Sequence, residues 1–222
     1  RRSRTPFARR AQWRRLPLPA SERALAGRKP TLTHDRTGTS GSRSPESTCV
    51  INVLHLRDTD RVCGPGKTII ETARAATAGE FHHVVGLPLL ESEGRNQYYE
   101  AAVERGVDVV PLRSAHQLDP RILRAILRVI RDREIHLVHS HEYKTDLLAW
   151  AVSRLHPIPI VTTVHGWIRN DLKGRLYVRV GQAVLSRFDR IVAVSDRTRQ
   201  AVLACGVPAE RVVLIHNGVV AE

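Results

Sequence analysis

Four apolar runs in the second half of the chain end abruptly in polar residues. The runs read LVHSH, VTTVHG, IVAVSD and VLIHNG, and they occupy residues 137–141, 161–166, 191–196 and 213–218. Each run is typical of a buried parallel strand whose carboxyl end carries a polar side chain. Because ligands bind at the carboxyl ends of strands in open α/β sheets, the four runs together predict one cleft.

Strands and helices alternate from residue 49 onward. Apolar runs predict strands at 50–56, 81–87, 107–112, 135–139, 159–164, 190–194 and 211–215, and helical periodicity predicts helices at 66–78, 96–105, 119–133, 147–155, 172–187 and 198–204. Gly79, Gly106 and Gly206 lie at three helix ends, where a left-handed residue is favoured. Strict alternation with short connections predicts an α/β domain with a Rossmann-like, doubly wound parallel sheet of about seven strands.

The first 48 residues differ in composition from the rest. They carry 12 Lys and Arg against 3 Asp and Glu, so most of the net charge of +13 lies there. Their apolar residues show no sustained period, and we expect a disordered Arg-rich extension. The sequence does not begin with Met. A non-functional extension, an organellar targeting peptide and a polyanion-binding arm would each have this composition.

Other compositional features argue against several classes of protein. No apolar run approaches the roughly 18 residues that a membrane span needs. Cys49, Cys63 and Cys205 are odd in number and widely spaced, which argues against a disulfide framework and a structural zinc site. Such cysteines suit a reducing cytosol, so we expect a cytoplasmic protein, either free or peripheral at the inner membrane face. We also expect no nucleic-acid partner.

The segment CGPGKT at residues 63–68 is a candidate phosphate-binding loop. It precedes a predicted helix, whose first backbone N–H groups and dipole favour an anion. A P-loop would need glycine where Arg61 stands, and a dinucleotide fingerprint would need a third glycine where Ile69 stands. Contact with a diphosphate, a plain tight turn and a P-loop-like nucleoside triphosphatase remain as alternatives, in that order of preference.

Three histidines at predicted strand ends are candidate ligand-binding residues. His139 and His141 alternate at the end of one strand, and His165 ends the next. They would suit hydrogen bonding to a ligand, a structural role or, least well, a metal site, because only Glu142 supplies a matching carboxylate. His82 and His83 lie within a strand and are interpreted as structural. We expect no metal and no bound cofactor.

The order and spacing of several segments resemble the amino-terminal domain of family 4 glycosyltransferases. The segments span residues 53–56, 64–69, 138–141, 163–166, 189–195 and 207–219, and the resemblance covers about residues 50–222. It implies one half of a GT-B fold, in which two Rossmann-like domains face each other. It also implies transfer of a sugar from a nucleotide-diphosphate donor to an acceptor, with retention of anomeric configuration.

The resemblance assigns roles to individual residues. Gly64 and Gly66 match the loop that approaches the donor diphosphate, and His165 matches the histidine that contacts the donor sugar near the reacting carbon. The remaining matches lie on the acceptor side, where a glycan, a lipid-linked molecule or a small molecule would bind: His139, His141, Tyr143 and Lys144.

The resemblance also implies a second domain that carries the donor-binding glutamate pair. Residues 49–222 form the amino-terminal domain in this interpretation, and we expect the chain alone to be inactive. A non-catalytic ligand-binding α/β domain is the alternative from another functional class.

One predicted helix carries a basic stripe. Arg121, Arg124, Arg128 and Arg131 lie opposite Ile122, Ile126 and Ile130 on the helix predicted at 119–133. A solvated helix face explains this pattern. Peripheral contact with an anionic membrane, close to a lipid-linked acceptor, is the second interpretation.

Removal of residues 1–47 tests the predicted extension. We expect the melting temperature to stay unchanged in differential scanning calorimetry, because a segment without apolar periodicity contributes no core packing. A fall of several degrees would show that the extension packs on the domain.

Overall fold

The computed structural model describes residues 50–76, 80–92, 94–116, 119–166 and 181–218. The predicted extension at 1–48, Gly79 and most of the helix predicted at 172–187 lie outside the described residues. Residues 181–185, at the end of that predicted helix, are helical.

Seven strands form one parallel sheet, and helices connect them. The strands are β1 (Ile51–Leu56), β2 (Phe81–Leu90), β3 (Asp108–Ser114), β4 (Leu137–Ser140), β5 (Ile160–Val164), β6 (Arg190–Ala193) and β7 (Val212–Leu214). The helices are α1 (Gly64–Ala75), α2 (Gln97–Glu104), α3 (Arg121–Asp132), α4 (Tyr143–Leu155) and α5 (Asp196–Leu203), with a 3₁₀ turn at Ala209–Arg211. The strand order is β3-β2-β1-β4-β5-β6-β7, and every pairing is parallel.

The strand order reverses between β1 and β4, so the sheet is doubly wound as predicted. Right-handed crossovers then place α1 and α2 on one face and α3 to α5 on the other. The packing agrees with two layers. Ile69 and Ile70 of α1 pack with Tyr98 of α2 in one apolar cluster, whereas Ile126 of α3 and Val152 of α4 pack in a second, larger cluster.

Most predicted elements are confirmed, but several begin or end at other residues than predicted. Helix α4 begins at Tyr143, four residues earlier than predicted, because Glu142 and Thr145 form a capping box at its start. Helix α1 begins at Gly64, two residues early. Strand β2 continues through Pro88 to Leu90, three residues beyond the predicted end.

Two of the predicted left-handed glycines are confirmed. Gly106 has a φ of 73° and Gly206 a φ of 79°, at the ends of α2 and α5. Just before α3, the carboxylate of Asp119 accepts the backbone N–H of Arg121 at 2.9 Å. The helix begins at Arg121, two residues later than the predicted start at residue 119.

Helix α3 has the predicted division between an apolar and a basic face. Ile122, Ile126 and Ile130 are buried, and Arg124 and Arg128 are exposed. Arg121 is engaged in ion pairs with Asp119 and Glu91, which reduces the free charge of the stripe. None of the described helices is long and apolar enough to cross a membrane.

Vesicle binding tests the membrane interpretation of this face. On the membrane interpretation, the Arg124→Gln/Arg128→Gln variant binds anionic vesicles more weakly than the wild type at low salt, because each basic residue near such a surface contributes about 1 kcal/mol. On the interpretation as a solvated face, the two proteins co-sediment equally. The matched control is Arg154→Gln/Arg197→Gln, two exposed arginines on α4 and α5. Equal binding of the wild type to neutral and anionic vesicles would contradict the electrostatic interpretation.

Candidate functional site

The carboxyl ends of the central strands bring several histidines together. His55 on β1 is in register with His139 on β4, and His141 follows β4 on the same side. Thr163, near the end of β5, accompanies them, and His165 lies one residue beyond that strand. Alternation along adjacent parallel strands places these side chains on one face of the sheet. We call His55, His83, His139, His141 and His165 the histidine cluster.

The members of the histidine cluster contact one another directly. The Nδ1 atom of His55 lies 2.9 Å from Nε2 of His141, and the Nε2 atom of His55 lies 2.7 Å from Nδ1 of His83. The rings of His139 and His141 stack with their centroids 4.3 Å apart. Nε2 of His139 hydrogen-bonds the hydroxyl of Thr163 at 2.8 Å. The cluster is therefore one network of imidazoles.

Burial keeps the histidine cluster neutral at physiological pH. Burial, with a smaller contribution from the charge of His165, lowers the pKa of His139 to about 3. Burial, assisted by the positive charge of Arg57, lowers the pKa of His165 to about 4. The pKa values of His55 and His141 are also lowered, again mainly by burial. A neutral imidazole offers one N–H donor and one nitrogen acceptor, which suits hydrogen bonding to a polar, uncharged ligand.

Part of the cluster could also ligate a metal. One ring nitrogen from each of His55, His139 and His141 lies within 4.8 Å of the others. Nitrogens that share one Zn²⁺ at about 2.0–2.1 Å lie roughly 3.3 Å apart, and the 2.9 Å contact between His55 and His141 is close to this spacing. The expectation that the site holds no metal remains a prediction.

The first turn of α1 borders the histidine cluster. A cavity of about 540 Å³ is lined by the cluster and by Pro65 and Thr68 of α1. A second cavity of about 620 Å³ lies over Gly64 and Lys67. The two cavities share five lining residues: Pro65, Thr68, Thr72, Asn217 and Gly218. The histidines and the amino-terminal end of α1 therefore form one continuous surface.

The charge distribution around α1 favours an anion. Helices α2, α4 and α5 each carry an acidic residue in the first turn, namely Glu100, Asp146 and Asp196. The first turn of α1 has none, and Lys67 adds a positive charge. The partial positive charge of the helix end is thus left unneutralised by a side chain of its first turn.

Gly64 and Gly66 of α1 differ in how much space surrounds them. A Cβ atom on Gly66 would meet Cε2 of Tyr98 at 2.8 Å, so close helix packing requires glycine there. A Cβ atom on Gly64 would meet nothing within 4 Å. Neither residue has a positive φ, so a left-handed conformation is not the reason for either glycine.

Arg57 is a buried cation between α1 and the histidine cluster. Its side chain lies 3.4 Å from the carboxylate of Glu142 and donates a hydrogen bond to Sγ of Cys63 at 3.3 Å. Burial raises the pKa of Glu142, and the charge of Arg57 opposes this shift. Arg57 was not among the predicted site residues, since an arginine one residue after an apolar strand carries no distinctive pattern.

All unpartnered buried side-chain atoms of the described residues lie in this region. They are both ring nitrogens of His165, Nδ1 of His141 and Nε of Arg57. Buried polar atoms in folded proteins are nearly always hydrogen-bonded, so a group of them without partners indicates a place where a ligand or water supplies the partner.

The structure brings together most, but not all, of the predicted site residues. His139, His141 and His165 lie together, and Gly64 borders them. Tyr143 and Lys144 lie in the first turn of α4: Tyr143 is half-exposed, and Lys144 forms an ion pair with Asp58. Lys144 lines a separate cavity of about 290 Å³ with Asp58, Asp60, Asn96 and Ser114.

His55 and His83 belong to the cluster although the sequence analysis assigned neither of them to the site. His83 was interpreted as structural, yet it hydrogen-bonds His55 and lines the same cavity as His165. The available signal was the polar residue near the end of the first predicted strand, the pattern that identified His139 and His165.

Asp146 lies beneath the site and holds β4 and β5 together. Its Oδ1 atom accepts hydrogen bonds from the hydroxyls of Ser140 at 2.6 Å and Thr162 at 2.7 Å. The residue is buried, and this burial raises the pKa of the carboxyl group to about 7 despite the two hydrogen bonds.

A family model identifies the family of the chain, and solved structures show its fold. The family model described as Glycosyltransferase Family 4 matches residues 62–222. Among solved structures, Alr3699/HepE of Anabaena in complex with UDP has a TM-score of 0.62 and 19% identity, over 76% of this chain and 44% of HepE. No curated protein sequence matches the chain.

Two further solved structures have the same fold. A glycosyltransferase from Rickettsia africae ESF-5 has a TM-score of 0.59 and 16% identity, over 77% of this chain and 44% of that one. The lipopolysaccharide outer core galactosyltransferase WaaB, in its apo form, has a TM-score of 0.57 and 12% identity, over 77% of this chain and 46% of WaaB. The chain thus spans less than half the length of these structures.

The pH dependence of stability tests the protonation of Asp146. The folded pKa of about 7 lies above the unfolded value of about 3.9, so folding takes up a proton between these values. The stability contribution of Asp146 is therefore complete below about pH 4 and is lost as the pH rises through about 7. We expect the unfolding free energy of the wild type minus that of Asp146→Asn to fall between these limits, by at most about 1.4 kcal/mol per pH unit.

Urea unfolding of both proteins at several pH values measures this difference. The buried histidines, whose folded pKa values are lowered, change stability in the opposite direction, but they are present in both proteins and cancel. A difference that is constant between pH 4 and 8 would show that Asp146 does not titrate in this range.

Proposed function

The chain belongs to glycosyltransferase family 4, and from this premise we propose that residues 49–222 form the acceptor-side domain of a retaining glycosyltransferase with a GT-B fold. The full-length enzyme transfers a sugar, of the hexose type, from a nucleotide diphosphate to a glycan, a lipid-linked molecule or a small molecule. The donor-binding glutamate pair belongs to a second domain, and the 222-residue chain alone is inactive.

The convergence of unpartnered buried atoms is the observation that carries this proposal. His141, His165 and Arg57 direct unsatisfied nitrogen atoms into one region beside α1. A sugar diphosphate is chemically matched to this arrangement, since its hydroxyls bond neutral imidazoles and its phosphates bond cations and helix N–H groups. HepE, which shares the fold, was crystallised with UDP, with UDP and glucose, and with UDP-glucose, which supports a nucleotide-sugar donor here.

The diphosphate contacts the first turn of α1 in this proposal. Negative charge grows on the diphosphate as the bond to the sugar breaks, and fixed N–H donors stabilise that charge without reorganisation. Gly64 leaves open space for the approach, and Lys67 adds a cation at the same cavity. A metal ion is not required for this stabilisation.

His165 contacts the donor sugar near the reacting carbon. Both of its ring nitrogens are buried and without a partner, and its lowered pKa keeps the ring neutral. The ring therefore acts as a hydrogen-bonding group for a sugar hydroxyl and not as a charged acid. His139, His141, Tyr143 and Lys144 face the acceptor, for which the smaller cavity beside Lys144 provides further polar groups.

Two variants of the full-length protein test the two halves of the proposal. We expect His165→Ala to lower kcat by about 10²–10³-fold, the effect of losing one hydrogen bond formed in the transition state. We expect Gly64→Val to weaken donor binding instead, because the side chain would occupy the approach to the first turn of α1. Gly64 is a better test position than Gly66, where contact with Tyr98 would also reduce stability.

The assay measures sugar transfer from a panel of nucleotide sugars, with circular dichroism as the folding control. His156→Ala is the matched histidine control. His156 lies between α4 and β5, at the amino-terminal ends of the strands and thus away from the histidine cluster. Near-normal turnover by folded His165→Ala and Gly64→Val would contradict the proposal and favour a non-catalytic binding domain.

Reading the coding sequence beyond Glu222 for a second α/β domain tests the predicted division into domains.

A further inference from the structure

Cys63 is the residue that immediately precedes α1. Its backbone is extended, with a φ of −109° and a ψ of 176°, and its side chain is half-buried. The thiol therefore lies at the positive end of a 12-residue helix, where an anion is favoured.

A second, independent feature points to the same place. Arg57 has a side chain that is only 10% exposed, and its Nη2 atom donates to Sγ of Cys63 at 3.3 Å. The Nε atom of the same guanidinium is buried and has no partner. The guanidinium also pairs with the carboxylate of Glu142 at 3.4 Å, so its charge is shared between that carboxylate and Sγ of Cys63.

These groups together stabilise the thiolate more than burial opposes it. Burial raises the pKa of the Cys63 thiol. The backbone of Gly66, the charge and hydrogen bond of Arg57 and the hydroxyl of Thr59 lower it by more, so the net pKa lies below the ordinary value. Thiolates are the nucleophilic form of cysteine, and reactive cysteines occupy partly exposed, electropositive sites of this kind.

We propose that Cys63 is a reactive thiolate and a site of covalent modification by hydroperoxides and soft electrophiles. With a hydroperoxide, the sulfur attacks the O–O bond, a new S–O bond forms and the O–O bond breaks. The sulfur is oxidised to sulfenic acid, and the distal oxygen leaves as hydroxide, or as alkoxide from an organic hydroperoxide. The modified side chain then occupies the space in front of the first turn of α1.

Cys205 provides an internal comparison in the same chain. It follows α5, at the negative end of that helix, and its Sγ atom donates to the carbonyl of Ala201 at 3.2 Å. A donated S–H bond and a helix carboxyl end both favour the neutral thiol. The two cysteines therefore differ in electrostatic environment while both are half-buried.

Alkylation of the 222-residue chain by iodoacetamide, with Cys49 replaced by Ser, measures this difference. Peptide mapping by mass spectrometry gives the rate for each cysteine between pH 5 and 9. We expect Cys63 to react about tenfold faster than Cys205 at pH 7, with a rate midpoint at lower pH. We also expect hydrogen peroxide followed by dimedone to label Cys63 and not Cys205.

Arg57→Gln and Arg61→Gln form a matched pair of variants. Arg61 is exposed and pairs with Asp60 on the surface, only two residues before Cys63. We expect Arg57→Gln to shift the Cys63 midpoint to higher pH and Arg61→Gln to leave it unchanged. If circular dichroism shows that Arg57→Gln is unfolded, Arg57→Lys replaces it and is expected to give a smaller shift.

Three outcomes would overturn the proposal: equal reaction rates for Cys63 and Cys205, no dimedone labelling of Cys63, or equal shifts in the Arg57 and Arg61 variants.

Pyrophosphate is added in a separate alkylation experiment, and we expect it to protect Cys63 but not Cys205. Fast alkylation without protection would support the reactive thiolate while contradicting the diphosphate role of α1, so the two proposals fail separately.

Discussion

Parallel pairing of β1 with β4 joins the two halves of the sheet, which wind in opposite directions. Helices leave the two strands toward opposite faces, so the space above their carboxyl ends is not covered by a crossover. The register of this pairing sets His55 opposite His139 and brings Arg57 near Glu142. A shift of one residue would turn each of these side chains to the other face, because side chains alternate along a strand. The site therefore depends on this one pairing more than on any loop.

Asp146 links β4 to β5 through its side chain. One carboxyl group accepts hydrogen bonds from a hydroxyl on each side, Ser140 at the end of β4 and Thr162 within β5. A charged carboxylate at this depth would need a cation, whereas Ser140 and Thr162 offer neutral hydroxyls. Burial raises the pKa of Asp146 and so favours the protonated, neutral acid, just as burial favours the neutral form of the histidines. Asp146 and its two hydroxyl partners thus form a polar layer on the face of the sheet opposite the histidine cluster, whereas positive charge lies at Arg57 and the first turn of α1.

The sequence predicted the sheet well because each strand is a short apolar run bounded by a turn residue or by a polar side chain. It placed the start of α4 too late because Glu142 and Thr145 cap that helix in the reverse of the usual order of residue types. His55 and His83 were not assigned to the site because strand neighbours that are distant in sequence become adjacent only through the strand order. Arg57 was missed for the same reason, since its partner Glu142 lies 85 residues further along the chain. Periodicity indicates which face a residue occupies, but not which strand stands beside it.

The separation of charge within the site bears on the kind of chemistry it can support. Sugar hydroxyls are both donors and acceptors, and neutral imidazoles match them in either role, whereas imidazolium would only donate. The lowered pKa values of His139 and His165 therefore suit recognition of a sugar more than general acid catalysis at neutral pH. A departing diphosphate instead requires stabilisation of charge, and the unneutralised first turn of α1 lies beside the imidazoles to supply it. The same positive potential that suits a diphosphate also favours a thiolate at Cys63, so the proposed anion site and the proposed reactive cysteine share one physical cause.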